Sequence, residues 1–332
     1  MNFNPQNILV IHFGQMGDVI LALPALQAIR QRFPAARITV LIGKSSVMIA
    51  RLAGIFDDEI VVDRVKLRDG NKLRSLNKIR RLVKEIRRRK FDFIIDLHSL
   101  SETNLLGFLS GTPTRLYGNR ENRSLDFLGK FPLKPPPEDR SKHITDRYLD
   151  VLKPLGIKDV PRFVELKPKD ADVELIKNLL REQNVPETEN LVGLFPGAGH
   201  PSRRWSVENF AAVYRLLTER ENPLQVIVFL GPEETDLCRE VENAFPPETV
   251  IFDKLAIPQL IAAVSMLRAL VSNDTGIAHL CAAVGANLVL VMDKRGTLTF
   301  LPLTEKIRVV RSGTIDEIPV EEVLRAAEGF LK

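Results

Sequence analysis

The chain has 332 residues, 45% hydrophobic and 27% charged, with a formal net charge of +5 and two cysteines. That length exceeds one ordinary core and predicts two domains, and the composition is that of a globular protein. Two lone cysteines, Cys238 and Cys281, exclude a disulfide framework, and neither has a neighbour at metal-ligand spacing. No apolar run approaches the roughly 20 residues of a bilayer span, and residues 1–7 lack the basic start and apolar stretch of a signal peptide, so a cytoplasmic location is expected.

In chain order, residues 8–11 (ILVI) read as a buried strand that runs into the turn Gly14 to Asp18. A helix over 19–33 follows, with Ile20, Leu23, Leu26 and Ile29 at helical spacing, then a strand over 38–42. Strand, helix and strand with continuously apolar strands is the βαβ pattern of a parallel sheet covered on both faces. Residues 60–62 and 93–97 read as further strands. A helix over 73–89 places Leu76, Ile79, Val83 and Ile86 on one face and its arginines on the other. Residues 61–90 hold thirteen Lys or Arg against three acids. Such a block suits phosphates, anionic lipid head groups or nucleic acid, and an ordinary solvated helix face explains it equally well. Nucleic acid ranks lowest, because only Phe91 adjoins the block.

Residues 132–137 form a proline-rich loop, 143–155 a helix, and 156–169, with two prolines, the expected interdomain connection. The domains are therefore set at 1–160 and 161–332. The second half repeats the first. A strand at 191–195 leads into Pro196-Gly197-Ala198-Gly199; helices follow at 207–219 and 258–267, strands at 226–230, 269–272 and 288–292, and an amphipathic helix at 320–331. The reading is α/β, two doubly wound domains facing each other across a cleft, the last helix free to pack back on the first domain.

Three turns carry chemistry. Gly14 to Asp18 sits at the carboxyl end of the first strand, where open α/β sheets bind ligands. It lacks the third glycine of a dinucleotide fingerprint, which disfavours a nicotinamide-dependent oxidoreductase. Asp18 reads first as a helix cap, and a carboxylate in that place also suits a general base. Residues 196–205 (PGAGHPSRRW) hold the equivalent place in the second half, and two glycines followed by two arginines suit a phosphate. In Ser272 to His279, Asp274 or Thr275 is a cap or a ligand, and His279 a core histidine or a ligand.

Together these turns resemble glycosyltransferase family 9, the ADP-heptose:lipopolysaccharide heptosyltransferases. The G-x-x-GD opening continues as VILALPAL over 19–26. Residues 143–152 (HITDRYLDVL) are similar to the family's H-x-x-x-R helix, 196–205 to its PGA…KRW loop, and 274–279 to its D-T-G-x-x-H motif. The resemblance spans essentially the whole chain. It implies a GT-B fold and an inverting, metal-independent transferase without cofactor, taking a nucleotide sugar such as ADP-heptose. It implies a phosphorylated glycolipid acceptor and possible contact with an anionic membrane surface on the inner face of the bacterial inner membrane, and no nucleic acid.

By position, Asp18 matches the catalytic base. Gly197, Ala198, Arg203, Asp274, Thr275, Gly276 and His279 match the donor site, with Glu233 or Glu234 near the ribose and Leu255 near the adenine. Gly14, Gly17 and His12 fall on the acceptor side, with Arg87 and Arg88 of the basic helix. Two departures stand out. His12 replaces a usual Lys or Arg, and residues 292–302 read MDKRGTLTFLP where the family has an F-G-P-T-x-P turn bordering the donor pocket. The alternatives are a transferase using another nucleotide sugar, a nucleotide-sugar epimerase, and a non-catalytic anion- or lipid-binding protein on the same scaffold.

Overall fold

The computed structural model describes residues 3–63, 72–185 and 190–331. They fall into two compact units, Met1–Val164 and Glu165–Lys332. The part of the basic block at 64–71 lies outside the described residues.

The first unit runs β1 (Asn7–His12), α1 (Met16–Arg32), β2 (Arg37–Gly43), α2 (Val47–Ala53), β3 (Asp58–Val62), α3 (Lys72–Arg89), β4 (Phe93–Asp96), α4 (Ser101–Leu109), β5 (Thr114–Tyr117) and α5 (Ile144–Leu152). The strands form one parallel sheet in the order β3-β2-β1-β4-β5, with Val10 of β1 opposite Val40 and Ile95. Residues 8–11 are wholly buried because helices cover both faces of this central strand. Helix α1 is buried on nearly every side, from Val19 through Ala28, rather than along one stripe. It lies against both α2 and α5, and Thr145 of α5 donates to the Leu21 carbonyl at 2.8 Å.

Helix α3 departs from its expected face. Ile86 is buried and Leu82 and Val83 pack on the core, but Leu76 and Ile79 are exposed. Only the C-terminal half of that helix therefore covers the sheet.

The second unit runs α6 (Asp170–Glu182), β6 (Leu191–Phe195), α7 (Val207–Thr218), β7 (Gln225–Phe229), α8 (Cys238–Ala244), β8 (Val250–Phe252), α9 (Ile257–Ser265), β9 (Ala269–Asn273), α10 (Gly276–Ala283), β10 (Leu288–Asp293), β11 (Ile307–Ser312) and α11 (Val320–Leu331). Its sheet is parallel in the order β11-β10-β9-β6-β7-β8. Helix α11 packs on α7 and on β9 to β11, burying Val323 and Ala327 in the core beneath Trp205. Strand β11 carries Arg308 and Arg311 and is half exposed at the sheet edge, so it shows no apolar run to a sequence reading.

In each unit the chain leaves the first strand in one direction and returns on its other side. The switch points are β1/β4 and β6/β9, where the crevice at the carboxyl ends of the strands takes ligands in folds of this kind.

Candidate active site

At the β6/β9 switch point the loop after β6 is stapled by one side chain. Asn273, the last residue of β9, is fully buried; its Nδ2 donates to the carbonyls of Pro196 (2.9 Å) and Gly197 (3.2 Å), and its Oδ1 accepts from the Trp205 amide (3.1 Å). Trp205 is itself buried, its indole donating to the Ile318 carbonyl at 3.0 Å. Between these anchors Arg203 is exposed, while Arg204 pairs with Asp236 at 2.6 Å.

Glycine at 197 is dictated by Glu234. A Cβ there would stand 2.5 Å from Glu234 Cγ and 2.7 Å from its Oε1. Glu234 is buried and its Oε2 accepts from the Gly231 amide at 3.0 Å; burial raises its carboxyl above the ordinary range. Of the two glutamates expected near the ribose, Glu234 is thus the one against the loop, and Glu233 is exposed. Ala198 is buried, and Leu255 is half-buried just past the end of β8.

Thr275 is the N-cap of α10, with Asp274 before it and Gly276 opening the helix, all half-buried. Burial raises the Asp274 carboxyl, an effect opposed by Arg203 and reinforced by Asp293, so these three charges share one field. His279 is buried one turn into the helix. Helix-start amides and an exposed guanidinium around one crevice favour an anion.

The altered turn after β10 also joins this edge. The Arg295 guanidinium donates to Asp293 (Nε–Oδ2 2.7 Å) and reaches the Ser202 carbonyl, while Arg311 donates to the Lys294 carbonyl at 2.9 Å. A cavity of about 350 Å³ opens between Pro201, Ser202, Arg204, Lys294, Arg295 and residues 313–316.

At the β1/β4 switch point, Gly14 leaves β1 in a turn with no room for a side chain. A Cβ would overlap that of Asp18 and come 2.5 Å from His12 Cε1. Asp18 is the third residue of α1, not its cap, and its Oδ2 accepts the amide of Gln15 at 3.0 Å. This is the acidic half of a capping box, and the carboxylate is half-buried. Gly17 is buried in the first turn of the helix.

His12 is 0% exposed, so it lines no acceptor surface as the sequence suggested; its Nδ1 accepts the Gly14 amide at 3.3 Å, and it holds the turn instead. Its ring meets those of Tyr148 (5.1 Å) and His98 (5.9 Å) edge-on. Burial raises the Tyr148 phenol and the nearby Asp18 carboxylate adds to the rise, so the phenol stays neutral.

Two features here were not read from the sequence, although Arg147 is the arginine of the H-x-x-x-R helix. Arg120 (3.5 Å), Arg123 (3.8 Å) and Arg147 (3.3 Å) converge on Glu138; Arg120 and Glu138 sit in irregular segments, where no periodicity marks them. Asp96 is buried at the end of β4, accepting from the Ser99 amide (2.7 Å) and Asn104 Nδ2 (2.8 Å), and burial pushes it up to about 6.

Arg87 and Arg88 stand apart from this turn. Helix α3 runs antiparallel to the strands and ends at their amino edge, where Arg89 pairs with Asp58 at the start of β3 and Arg87 donates to the Leu109 carbonyl. Asp18 follows the carboxyl edge of the same sheet.

The model of the family described as glycosyltransferase family 9 (heptosyltransferase) matches residues 79–326. The chain belongs to glycosyltransferase family 9. Lipopolysaccharide heptosyltransferase 3 of Escherichia coli is 22% identical over 319 residues, covering 95% of this chain and 92% of its own. A family 9 glycosyltransferase from Veillonella parvula superposes with a TM-score of 0.85 at 22% identity, over 100% and 98% of the two chains. E. coli heptosyltransferase WaaC with ADP-2-deoxy-2-fluoro heptose gives 0.74 at 17% identity, over 98% and 99%. This family 9 enzyme is a glycosyltransferase with a GT-B fold of two Rossmann-like units.

Within this glycosyltransferase, the structure gathers Gly197, Ala198, Arg203, Glu234, Asp274, Thr275, Gly276 and His279 at one edge of the second unit. Leu255 follows β8 at the same edge. Gly14, Gly17 and Asp18 share the corresponding edge of the first. Asn273 could have been singled out in the sequence as the strand-end amide before D-T-G, yet its three partners lie 68 to 77 residues away. No group of three His, Cys, Asp or Glu among the described residues is placed to hold a metal ion.

Proposed function

We propose that this glycosyltransferase moves a heptose, with inversion and without a metal, from ADP-heptose to a lipopolysaccharide-core or related glycolipid acceptor. The observation that carries the reading is that each unit holds, at the switch point of its own sheet, one of two complementary chemistries. A half-buried carboxylate, Asp18, is oriented by the Gln15 amide. The start of α10 shares an electrostatic field with Arg203. The relative solved with ADP-2-deoxy-2-fluoro heptose supports the choice of donor.

In this mechanism the diphosphate lies at the start of α10 and against Arg203. Asp18 removes the proton of an acceptor hydroxyl as that oxygen attacks the anomeric carbon, the bond from that carbon to the phosphate oxygen breaks, and ADP departs. Arg203 and the helix-start amides take up the charge that grows on the leaving group, a role otherwise given to a metal. Chelators therefore leave the rate unchanged.

Asp18→Asn keeps an oxygen to accept the Gln15 amide, so it tests the proton acceptor without dismantling the turn. Turnover should fall about 10²–10⁴-fold, while ADP affinity, measured by calorimetry, stays within about twofold. A variant turning over at near wild-type rate would sink the assignment of the base. Comparing ADP-heptose with UDP- and GDP-sugars as donors tests the sugar and the nucleotide, and donor conversion without any acceptor would favour an epimerase.

A further inference from the structure

One face of the first unit is built unlike an ordinary solvated surface. Helix α4 buries Thr103, Asn104, Leu106 and Gly107 and turns Leu105, Phe108 and Leu109 outward, a stripe at i, i+3 and i+4 that points away from the core. Phe108 is 45% exposed, with the Arg115 guanidinium 5.5 Å from its ring centroid. Arg115 also donates to the Leu128 carbonyl at 3.1 Å, and its backbone pairs with that of Lys130. This brings the segment 126–134 alongside α4, and with it Phe127 (70% exposed) and Leu133 (58% exposed).

On the other flank, Arg87 of α3 reaches the Leu109 carbonyl at 2.9 Å. Arg80, Arg81, Lys84 and Arg88 of α3 are exposed, as are Lys130 and Lys134 beyond the apolar stripe. Large apolar side chains framed on both sides by cations match the layering of a bilayer surface: acyl boundary within, anionic head groups around it. A nucleic acid would match the cations but would leave the leucines of this stripe without partners.

We propose that the α3–α4 face, with residues 126–134, docks this enzyme on an anionic phospholipid bilayer, with Phe108, Phe127 and Leu133 entering the head-group boundary. The inference rests on the reading of the acceptor as a membrane glycolipid. Helix α4 begins after β4, at the carboxyl edge of the sheet, and its exposed Phe108 and Leu109 lie at its far end, where Arg87 holds the Leu109 carbonyl.

The test is co-sedimentation of the full chain with vesicles of phosphatidylglycerol and phosphatidylethanolamine, compared with phosphatidylcholine alone. The wild type should bind the anionic vesicles about tenfold or more tightly than the neutral ones. Arg80→Glu/Arg81→Glu and, separately, Phe108→Ser/Phe127→Ser should each weaken anionic-vesicle binding by about tenfold or more. Both variants should keep wild-type melting temperatures and wild-type transfer to a water-soluble, lipid-free acceptor. Equal binding to both vesicle types, no binding to the anionic ones, or wild-type binding by both variants would overturn the proposal. Vesicle binding that persists while transfer to the soluble acceptor is absent in the wild type supports the docking face and removes the transferase reading instead.

Discussion

Gly197 and Glu234 define one small constraint on the donor side. A methyl group at 197 must displace a carboxylate side chain that already holds the Gly231 amide. Gly197→Ala should therefore weaken ADP binding about tenfold, with a melting temperature within a few degrees of wild type, because the glycine lies in a loop rather than a core strand. Calorimetric titration reads this directly; unchanged affinity would show that Glu234 does not shape the nucleotide site. At this scale the motif residues Gly197, Asp274 and His279 were legible because they follow recognisable strand ends. The choice between Glu233 and Glu234 was not, since a loop has no period to say which neighbour turns inward. His12 was legible as a residue beside the turn, but its complete burial depends on Tyr148 and His98, which come from other elements.

Among elements, the decisive joint is the one between the end of β9 and the loop after β6. Asn273→Ala removes three hydrogen bonds and leaves the Trp205 amide and two carbonyls without that partner. Orphaned buried groups of this kind cost roughly 1–3 kcal/mol each, so the variant should lose about 3 kcal/mol in denaturant unfolding and bind ADP more weakly. A loss below about 1 kcal/mol would mean that the loop is held by Trp205 alone. Helix α3 illustrates the limit of periodicity. Leu76 and Ile79 share a stripe with Val83 and Ile86 in the sequence, yet only the second pair packs inward. A hydrophobic stripe states which face of a helix can be buried and leaves open how far along its length a sheet extends beneath it.

Over the whole molecule, the residues proposed for the donor lie in Glu165–Lys332 and the proposed base in Met1–Val164, each at the switch point of its own parallel sheet. Saturating ADP should slow amide exchange at residues 196–205, 231–237 and 274–279, while the amides of 14–18 change less than about twofold in protection. Exchange mass spectrometry distinguishes this from protection confined to the 14–18 turn, which would assign the nucleotide to the wrong unit.

The order of strands and helices at the centre of each unit, and the glycine-punctuated turns after β1, β6 and β9, were determined by the sequence alone. Buried parallel strands and turn residues leave local signals. Short helices such as α2 and α8, the brief β8 and the edge strand β11 left weaker ones. The tertiary structure alone decided that Arg87 and Arg88 lie at the amino edge, away from Asp18, and that Arg120, Arg123 and Arg147 meet on Glu138. It also decided that Asp18 completes a capping box rather than capping its helix. These are facts about which chain segments return to the same place, and a side chain's partner across that distance is set by packing and charge, not by its neighbours in sequence.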